Sequence, residues 1–439
     1  MIQAKHLCAF GLIVATLAGG CGSFRPNSSR AFVEWATDHA VPIEDLDSPL
    51  PEPSMQSLRD AIGTARVVGI GESRHDTREQ LLLKGLLVKH MIVELGFQAL
   101  ILEESFPHAE MLDHYVTTGE GDLRTIMNRL AGWYVWDTEE MLEFFKWIRQ
   151  ANVHRPPDRM VRIYGMDITA PAPGVRAVLD HLYAAGVTVP FDEYSLGLDL
   201  QEGDHWPATW ERYASASDER RFQLTNNYEA LMTLVNELEG THEYTRRLGE
   251  LGRTGNLFFS SSSREEGGVI RERGMADTVH WILDHQMAGD KAIVWAHNLH
   301  VARSSFRMPG LAEGDLIPMG VHLDKSLGDH YLAIGATFGT GSYPADLPPG
   351  ERVFEVAPND AMDRALDALH IPYFFLDLRD TEDSSTAAQW LQQNREWVAQ
   401  DATASLTPGD AFDLVYFVNE ISRAQPTPAA LERFQSIGP

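Results

Sequence analysis

The chain has 439 residues, 44% of them apolar, so it is long for one ordinary domain but has the composition of a globular protein. Its 63 acidic against 36 basic residues give a formal charge of -27, which argues against nucleic acid or an anionic membrane as partner, because phosphates would be repelled. The simplest meaning of the excess acid is a solvated surface.

At the N-terminus, Lys5 precedes an apolar run, Leu7–Leu17. It is shorter than the roughly 20 residues that span a bilayer but suits the apolar core of a secretory signal. The run ends in Leu17-Ala18-Gly19-Gly20-Cys21, which looks like a bacterial lipobox with the bulky aliphatic residue one place early. Residues 1–21 are therefore expected to be a signal peptide and Cys21 its lipidation site. The expected location is the cell envelope, lipid-anchored in the periplasm or outer membrane, with a soluble periplasmic protein as the alternative. The other cysteine, Cys8, lies inside the apolar run, so the mature chain would hold no internal disulfide. Gly22–Ser29 reads as a flexible tether, and residues 22–53 as tether plus N-terminal segment.

A short helix, Arg30–His39, and a Pro-rich connector, Val41–Pro53, precede the helix Met55–Ile62. The stretch Ala65–Ile70 then predicts a buried strand, after which Gly69 and Gly71 allow a sharp turn that delivers Glu72 and His75. From Asp76 onward Leu82, Leu83, Leu86, Leu87, Met91 and Ile92 have the spacing of a helix packed on a sheet. A second apolar strand, Phe97–Leu102, closes on Glu103 and Glu104. Together the two strands and their helix read as a βαβ unit with parallel strands.

A helical stretch with Trp133, Tyr134, Trp136, Phe144, Phe145 and Trp147 follows, then a third strand, Met160–Met166, ending at Asp167. Between about 191 and 264 only helical patterns appear, among them Arg221–Glu239 and Tyr244–Leu251, which predicts a helical insertion or cap. The helix Glu265–His285 feeds a fourth strand, Lys291–Ala296, ending in His297-Asn298-Leu299-His300. A fifth strand, Tyr331–Thr337, precedes a Gly- and Pro-rich loop, Gly339–Gly350, and further strands are expected at Val353–Val356, Tyr373–Leu376 and Phe412–Phe417. The predicted fold is α/β: a largely parallel central sheet flanked by helices, with a helical insertion, in one domain over 54–439.

Four strands thus end in ionisable groups: Glu72 with His75, Glu103 with Glu104, Asp167, and His297 with His300. In a parallel sheet such ends share one edge, where reacting groups gather. Glu104 is expected to be a solvated neighbour. Asp167 would orient a histidine or cap the next helix.

The succession of Gly71–His75, Leu102-Glu103, the Trp133-to-Trp147 segment followed by Asn152, Tyr164–Asp167, Arg271–Asp277, Ala296–His300 and Met319–Leu323 resembles the blocks of the erythromycin esterase family, over roughly Arg66 to Gly341. The resemblance implies an α/β fold with a helical cap and a deep cleft, and metal-free hydrolysis of a macrocyclic lactone. It also marks Lys84 as the place where the family carries a basic residue.

From the residues themselves, His75 is the candidate general base, because a free imidazole titrates near pH 6.5 and can take a proton from water. Glu72 or Glu103 would hold its tautomer, as in a catalytic triad with water as nucleophile. No Gly-x-Ser-x-Gly elbow is present to favour an acyl-enzyme. His297, assisted by Arg271, is the candidate for stabilising the oxyanion. Lys84, His300, Asp167, Trp133 and Trp136 complete the candidate substrate-binding set. Glu72, His75, Glu103, His297 and His300 are also metal-ligand types, but their spacing matches no compact signature, so neither metal nor cofactor is expected. The expected partner is a small ester or lactone. The alternatives are a metal-dependent hydrolase of another ester, or a binding lipoprotein, since a related-looking fold occurs in haem-binding surface lipoproteins and His with aromatic residues could serve a haem.

Overall fold

The computed structural model describes residues 26–201, 206–287, 291–309, 314–346, 349–354, 361–382 and 385–437. The signal peptide and Cys21 lie outside the described residues. Among the described residues no helix is long and apolar enough to cross a membrane.

The strands are β1 (Val41–Pro42), β2 (Val67–Ile70), β3 (Ala99–Ser105), β4 (Arg162–Asp167), β5 (Ala292–Trp295), β6 (Tyr331–Asp346), β7 (Pro349–Phe354), β8 (Tyr373–Asp377), β9 (Arg395–Ala399), β10 (Ala402–Leu406) and β11 (Leu414–Ile421). The central sheet runs β1-β8-β11-β6-β2-β5-β3-β4, with β7 paired to β6, while β9 and β10 form a separate hairpin. From β11 through β6, β2, β5 and β3 to β4 every pairing is parallel, so the largely parallel sheet expected from the sequence is what is found. Antiparallel β8 separates β1 from this set.

Alternation along each strand divides the core between the two faces, because successive side chains point to opposite sides. Val67, Ala99, Ile101 and Val294 belong to one apolar core; Val68, Ile70, Leu100, Leu102, Ile293 and Trp295 belong to the other. Strands buried on both faces need to be apolar throughout, and the run of such residues is what made them legible. Helices Glu52–Ile62, Arg78–Glu94 and Glu139–Asn152 cover the second face; Pro26–His39, Ala172–Ala184, Asp218–Glu237, Glu243–Ser260 and Arg264–His285 cover the first. Among the described residues between 191 and 264 the regular structure is all helical, as expected for the insertion.

Three expectations change. The segment expected to begin as a tether is helical from Pro26, and Phe32 stacks on Trp390 with ring centroids 4.2 Å apart, so apolar packing makes it part of the core. The connector beginning at Val41 opens with β1, which closes the sheet edge on β8. The stretch Gly339–Gly350, expected to be a loop, instead continues β6 to Asp346 and enters β7. Its backbone pairs from Gly341↔Phe354 to Asp346↔Pro349, and cross-strand pairing overrides the local turn preference of Gly and Pro.

Candidate active site

Parallel register sets the site. Ile70 and Leu102 both lie opposite Trp295, and Leu102 lies opposite Gly165, so β2 and β5 end at one level, and β3 and β4 run past it to Ser105 and Asp167. The turn after β2 runs against the turn after β5. A Cβ on Gly71 would sit 2.2 Å from Asn298 Oδ1, so glycine is required by the close approach. Asn298 then bonds both backbone groups of Ala336, at 2.6 and 2.9 Å, fastening the β5 turn to β6.

His75 Nδ1 lies 2.6 Å from Glu72 Oε1, so of the two carboxylates left open by the sequence it is Glu72 that holds the imidazole. The other oxygen, Oε2, accepts from Lys84 Nζ at 2.9 Å and from Trp295 Nε1 at 3.2 Å. Lys84 also donates to the Ala296 carbonyl at 2.9 Å and sits 4.5 Å over the Trp295 ring. Burial pushes the Glu72 carboxyl up, but the Lys84 ammonium and the His75 hydrogen bond outweigh it and bring it down to about 2. Burial brings Lys84 down to about 8 against the pull of Glu72. For His75 burial favours the neutral ring, yet the Glu72 hydrogen bond and charge win and its pKa is raised. A carboxylate on Nδ1 fixes the tautomer with the Nε2 lone pair outward, and Nε2 has no protein partner among the described residues.

Beside this pair is a second charged group. Arg271 Nη2 reaches Asp167 at 2.6 Å and Glu103 at 2.9 Å. His300 spans Glu103, 3.0 Å from Nε2, and Glu272, 2.6 Å from Nδ1. Burial opposes the charge on His300, but the two carboxylates raise it to about 10, and His300 and Arg271 in turn hold Glu103 well below the usual range despite burial. Glu103 Oε2 accepts the His297 backbone N–H at 2.9 Å.

The cavity over these residues measures about 210 Å³, and Glu72, His75, Glu103, Asp167, Arg271 and Trp136 are among those that line it. His297 does not line it. Its Nε2 is 2.9 Å from the Ser73 carbonyl and its Nδ1 accepts the Leu299 N–H at 3.2 Å, so both ring nitrogens are spent on backbone. Burial lowers its pKa to about 3. A neutral ring fixed in this way, with its centroid 5.2 Å from that of His75, buttresses the base and has no proton to offer an oxyanion. Lys84 and His300 are likewise outside the lining and act through carboxylates. Asp167 orients no histidine, being paired with Arg271. Trp133 is fully buried against Phe434, with ring centroids 4.7 Å apart, and leaves the cavity to Trp136.

Glu104 is not solvated. It is 1% exposed and accepts the N–H groups of Ser105, Ala131 and Gly132 at 2.8, 3.0 and 2.9 Å. Burial raises it to about 8. His108, not singled out in the sequence, also lines the cavity; its Nδ1 is 3.0 Å from Ser105 Oγ, which donates to the Ala170 carbonyl at 2.8 Å. Burial lowers its pKa to about 4, leaving a neutral ring. The available signal was Pro107, the second residue of the helix that starts directly after β3, which puts His108 in that helix's first turn at the sheet edge. Among the described residues no group of three or more His, Cys, Asp or Glu is placed to hold a metal ion.

A family model described as erythromycin esterase matches residues 92–421. The chain is 26% identical over 343 residues to erythromycin esterase type II of Escherichia coli, an overlap of 72% of this chain and 79% of that protein. Among solved structures it is similar to a Bacillus cereus protein, with a TM-score of 0.75 and 22% identity over 91% of this chain and 99% of that one. It is also similar in fold to a mutant erythromycin esterase in its open conformation, with a TM-score of 0.67 and 17% identity over 86% and 97% of the two chains.

Proposed function

The chain belongs to the erythromycin esterase family of hydrolases, and from that premise we propose that it cleaves a carboxylic ester or lactone with water activated by His75. The observation that carries this reading is the 2.6 Å contact between His75 Nδ1 and Glu72, which leaves Nε2 facing the cavity as an acceptor. His75 takes one proton from water as the oxygen adds to the carbonyl carbon. Arg271, the cation of the charged group that reaches the cavity, faces the developing oxyanion. Glu72 stabilises the imidazolium that forms. When the carbon–oxygen bond of the ester breaks, His75 returns its proton to the leaving alkoxide, and the products are an alcohol and a carboxylic acid, which gives up its remaining proton to water and leaves as the carboxylate.

This route uses no metal, a reading supported by saturation of the carboxylates. Glu72 already accepts from His75, Lys84 and Trp295, and Glu103 from Arg271, His300 and the His297 backbone. Export and lipidation at Cys21, a single domain over 54–439, and a macrolide as one substrate belong to the same proposal, the last supported by the similarity to the Escherichia coli erythromycin esterase. The test is hydrolysis of lactones and simple esters, erythromycin among them, by wild type and His75→Ala with and without chelator. Turnover that survives chelator and vanishes in a folded His75→Ala protein upholds the mechanism; an active, folded variant refutes it.

A further inference from the structure

Beyond the level where β2 and β5 end, β3 carries one extra residue: its pairing with β4 steps from Leu102↔Gly165 to Ser105↔Asp167. Such a bulge breaks the alternation that would send successive side chains to opposite faces, and Glu103, Glu104 and Ser105 all line the cavity. Gly165 makes room for it, since a Cβ there would sit 2.5 Å from the Ser105 carbonyl oxygen and 2.6 Å from that of Glu104. Ser105 is the N-cap of the helix Phe106–Thr118, yet its side chain does not cap that helix. Its single hydroxyl proton goes to the Ala170 carbonyl at 2.8 Å, so toward His108 Nδ1, 3.0 Å away, the oxygen accepts. Nδ1 therefore carries the imidazole proton, and Nε2 is left as a lone-pair acceptor. That atom has no hydrogen-bond partner among the described residues, and the half-buried ring lines the cavity. Burial lowers the pKa of His108 to about 4, which keeps the ring an acceptor at neutral pH. No ion pair joins His108 to a carboxylate among the described residues, so a cation brought here would lack a counter-charge, whereas a neutral hydroxyl needs none.

We propose that His108 is a specificity-determining residue, whose Nε2 accepts a hydrogen bond from a hydroxyl group that the ester substrate carries away from its scissile carbonyl. This rests on the hydrolase reading above and names a recognition group for that site. β2, which leads to His75, and β3, which leads to His108, are separated by β5, so the two chains leave the sheet about 10 Å, or two strand spacings, apart. The hydroxyl that His108 reads is accordingly remote from the bond that breaks.

The probes are 4-nitrophenyl esters of straight-chain acids of roughly six to ten carbons, lengths that bracket this reach, each with a terminal hydroxyl, methoxy or hydrogen. A methoxy group has the oxygen but no proton to donate. At one or more lengths kcat/KM for the hydroxy ester is expected to exceed that for both partners by about five- to tenfold, through KM. His108→Asn keeps a donor for Ser105 and removes the atom at Nε2, so the preference disappears; His108→Phe repeats the test if the first variant has a lowered unfolding midpoint. Equal kcat/KM for hydroxy and methoxy esters at every length in wild type overturns the proposal, as does a preference that survives in a folded variant. Should no ester turn over, the hydrolase reading fails, and the hydrogen bond is read directly from the nitrogen-15 NMR signal of His108 Nε2, identified by its loss in His108→Asn. That signal is expected to move on titration with 1,8-octanediol and to stay in place with the dimethyl ether of the diol. A signal that does not move, or that moves equally with both, overturns the assignment of His108.

Discussion

Lys84 has no exposed surface, and its ammonium balances a carboxylate that is itself buried. Removing one partner of such a pair leaves the other charge uncompensated, a loss of about 3–5 kcal/mol. Lys84→Met is therefore expected to lower stability by that order in urea unfolding. It also removes the Lys84 charge from Glu72, which favours the imidazolium, so the acid limb of kcat/KM moves to higher pH. If unfolding and pH profile both match wild type, Lys84 is a bystander. The sequence placed Lys84 at the right helical turn but as a group that meets substrate. Only the packing of the Arg78–Glu94 helix against β5 shows that it works one bond further back, through Glu72. The same distinction applies to His297 and His300. Residue type and strand-end position marked them, whereas which nitrogen meets which oxygen depends on side-chain rotations that a sequence does not display.

The elements that were legible are those whose own residues dictate them. β2, β3, β4 and β5 are apolar runs ended by Gly, acid or His, and their order along the chain was enough to gather Glu72, His75, Glu103, Asp167 and His297 at one edge. The hairpin of β9 and β10 was not seen, because Arg395–Ala399 and Ala402–Leu406 mix charged, small and apolar residues and depend on pairing with each other. Yet this hairpin supports the base. Its turn residue Gln400 donates its N–H to the Ser73 carbonyl at 2.7 Å and accepts the His75 backbone N–H on Oε1 at 3.2 Å. Arg74, between those two residues, pairs with Asp401 at 2.7 Å. Gln400 sits at φ +55°, a left-handed conformation that costs a residue with a side chain roughly 1–2 kcal/mol. Gln400→Gly relieves that strain while deleting the bond to His75. Stability should hold within about 1 kcal/mol while kcat/KM falls several-fold. A variant of wild-type activity would show that the hairpin does not position the base.

Across the whole molecule the buried titratable groups set a stability window that differs from the window for activity. Between about pH 4.5 and 6.5 two histidines held neutral, His297 at about 3 and His108 at about 4, gain stability as pH rises, because their unfolded forms still bind protons. Over the same range Glu104, raised to about 8, and Asp363, raised to about 7, lose it, because their folded forms keep protons that the unfolded chain has released. The two effects oppose each other, and the curve is flat. Below that range Glu72, lowered to about 2, and Glu103, lowered well below its usual value, lose their stabilising charge as pH falls, so stability drops. Above pH 6.5 the two neutral histidines contribute nothing further. His300, raised to about 10, and His75, also raised, then give up stability as pH climbs toward their folded values, alongside Glu104. Lys84, lowered to about 8, works in the opposite sense beyond that pH, so the alkaline loss is steepest between about 6.5 and 8. His75 acts as a base only when deprotonated, and its raised pKa places that form on this same descending flank. The thermal midpoint is therefore expected to be highest between about pH 4.5 and 6.5, while kcat/KM is still rising where the midpoint has begun to fall. Unfolding scans and initial rates from pH 3 to 10 check both curves. A midpoint that peaks at pH 8 or above, or a kcat/KM that has levelled off by pH 6, would mean that the carboxylates around His75 and His300 do not hold their protons as this geometry requires.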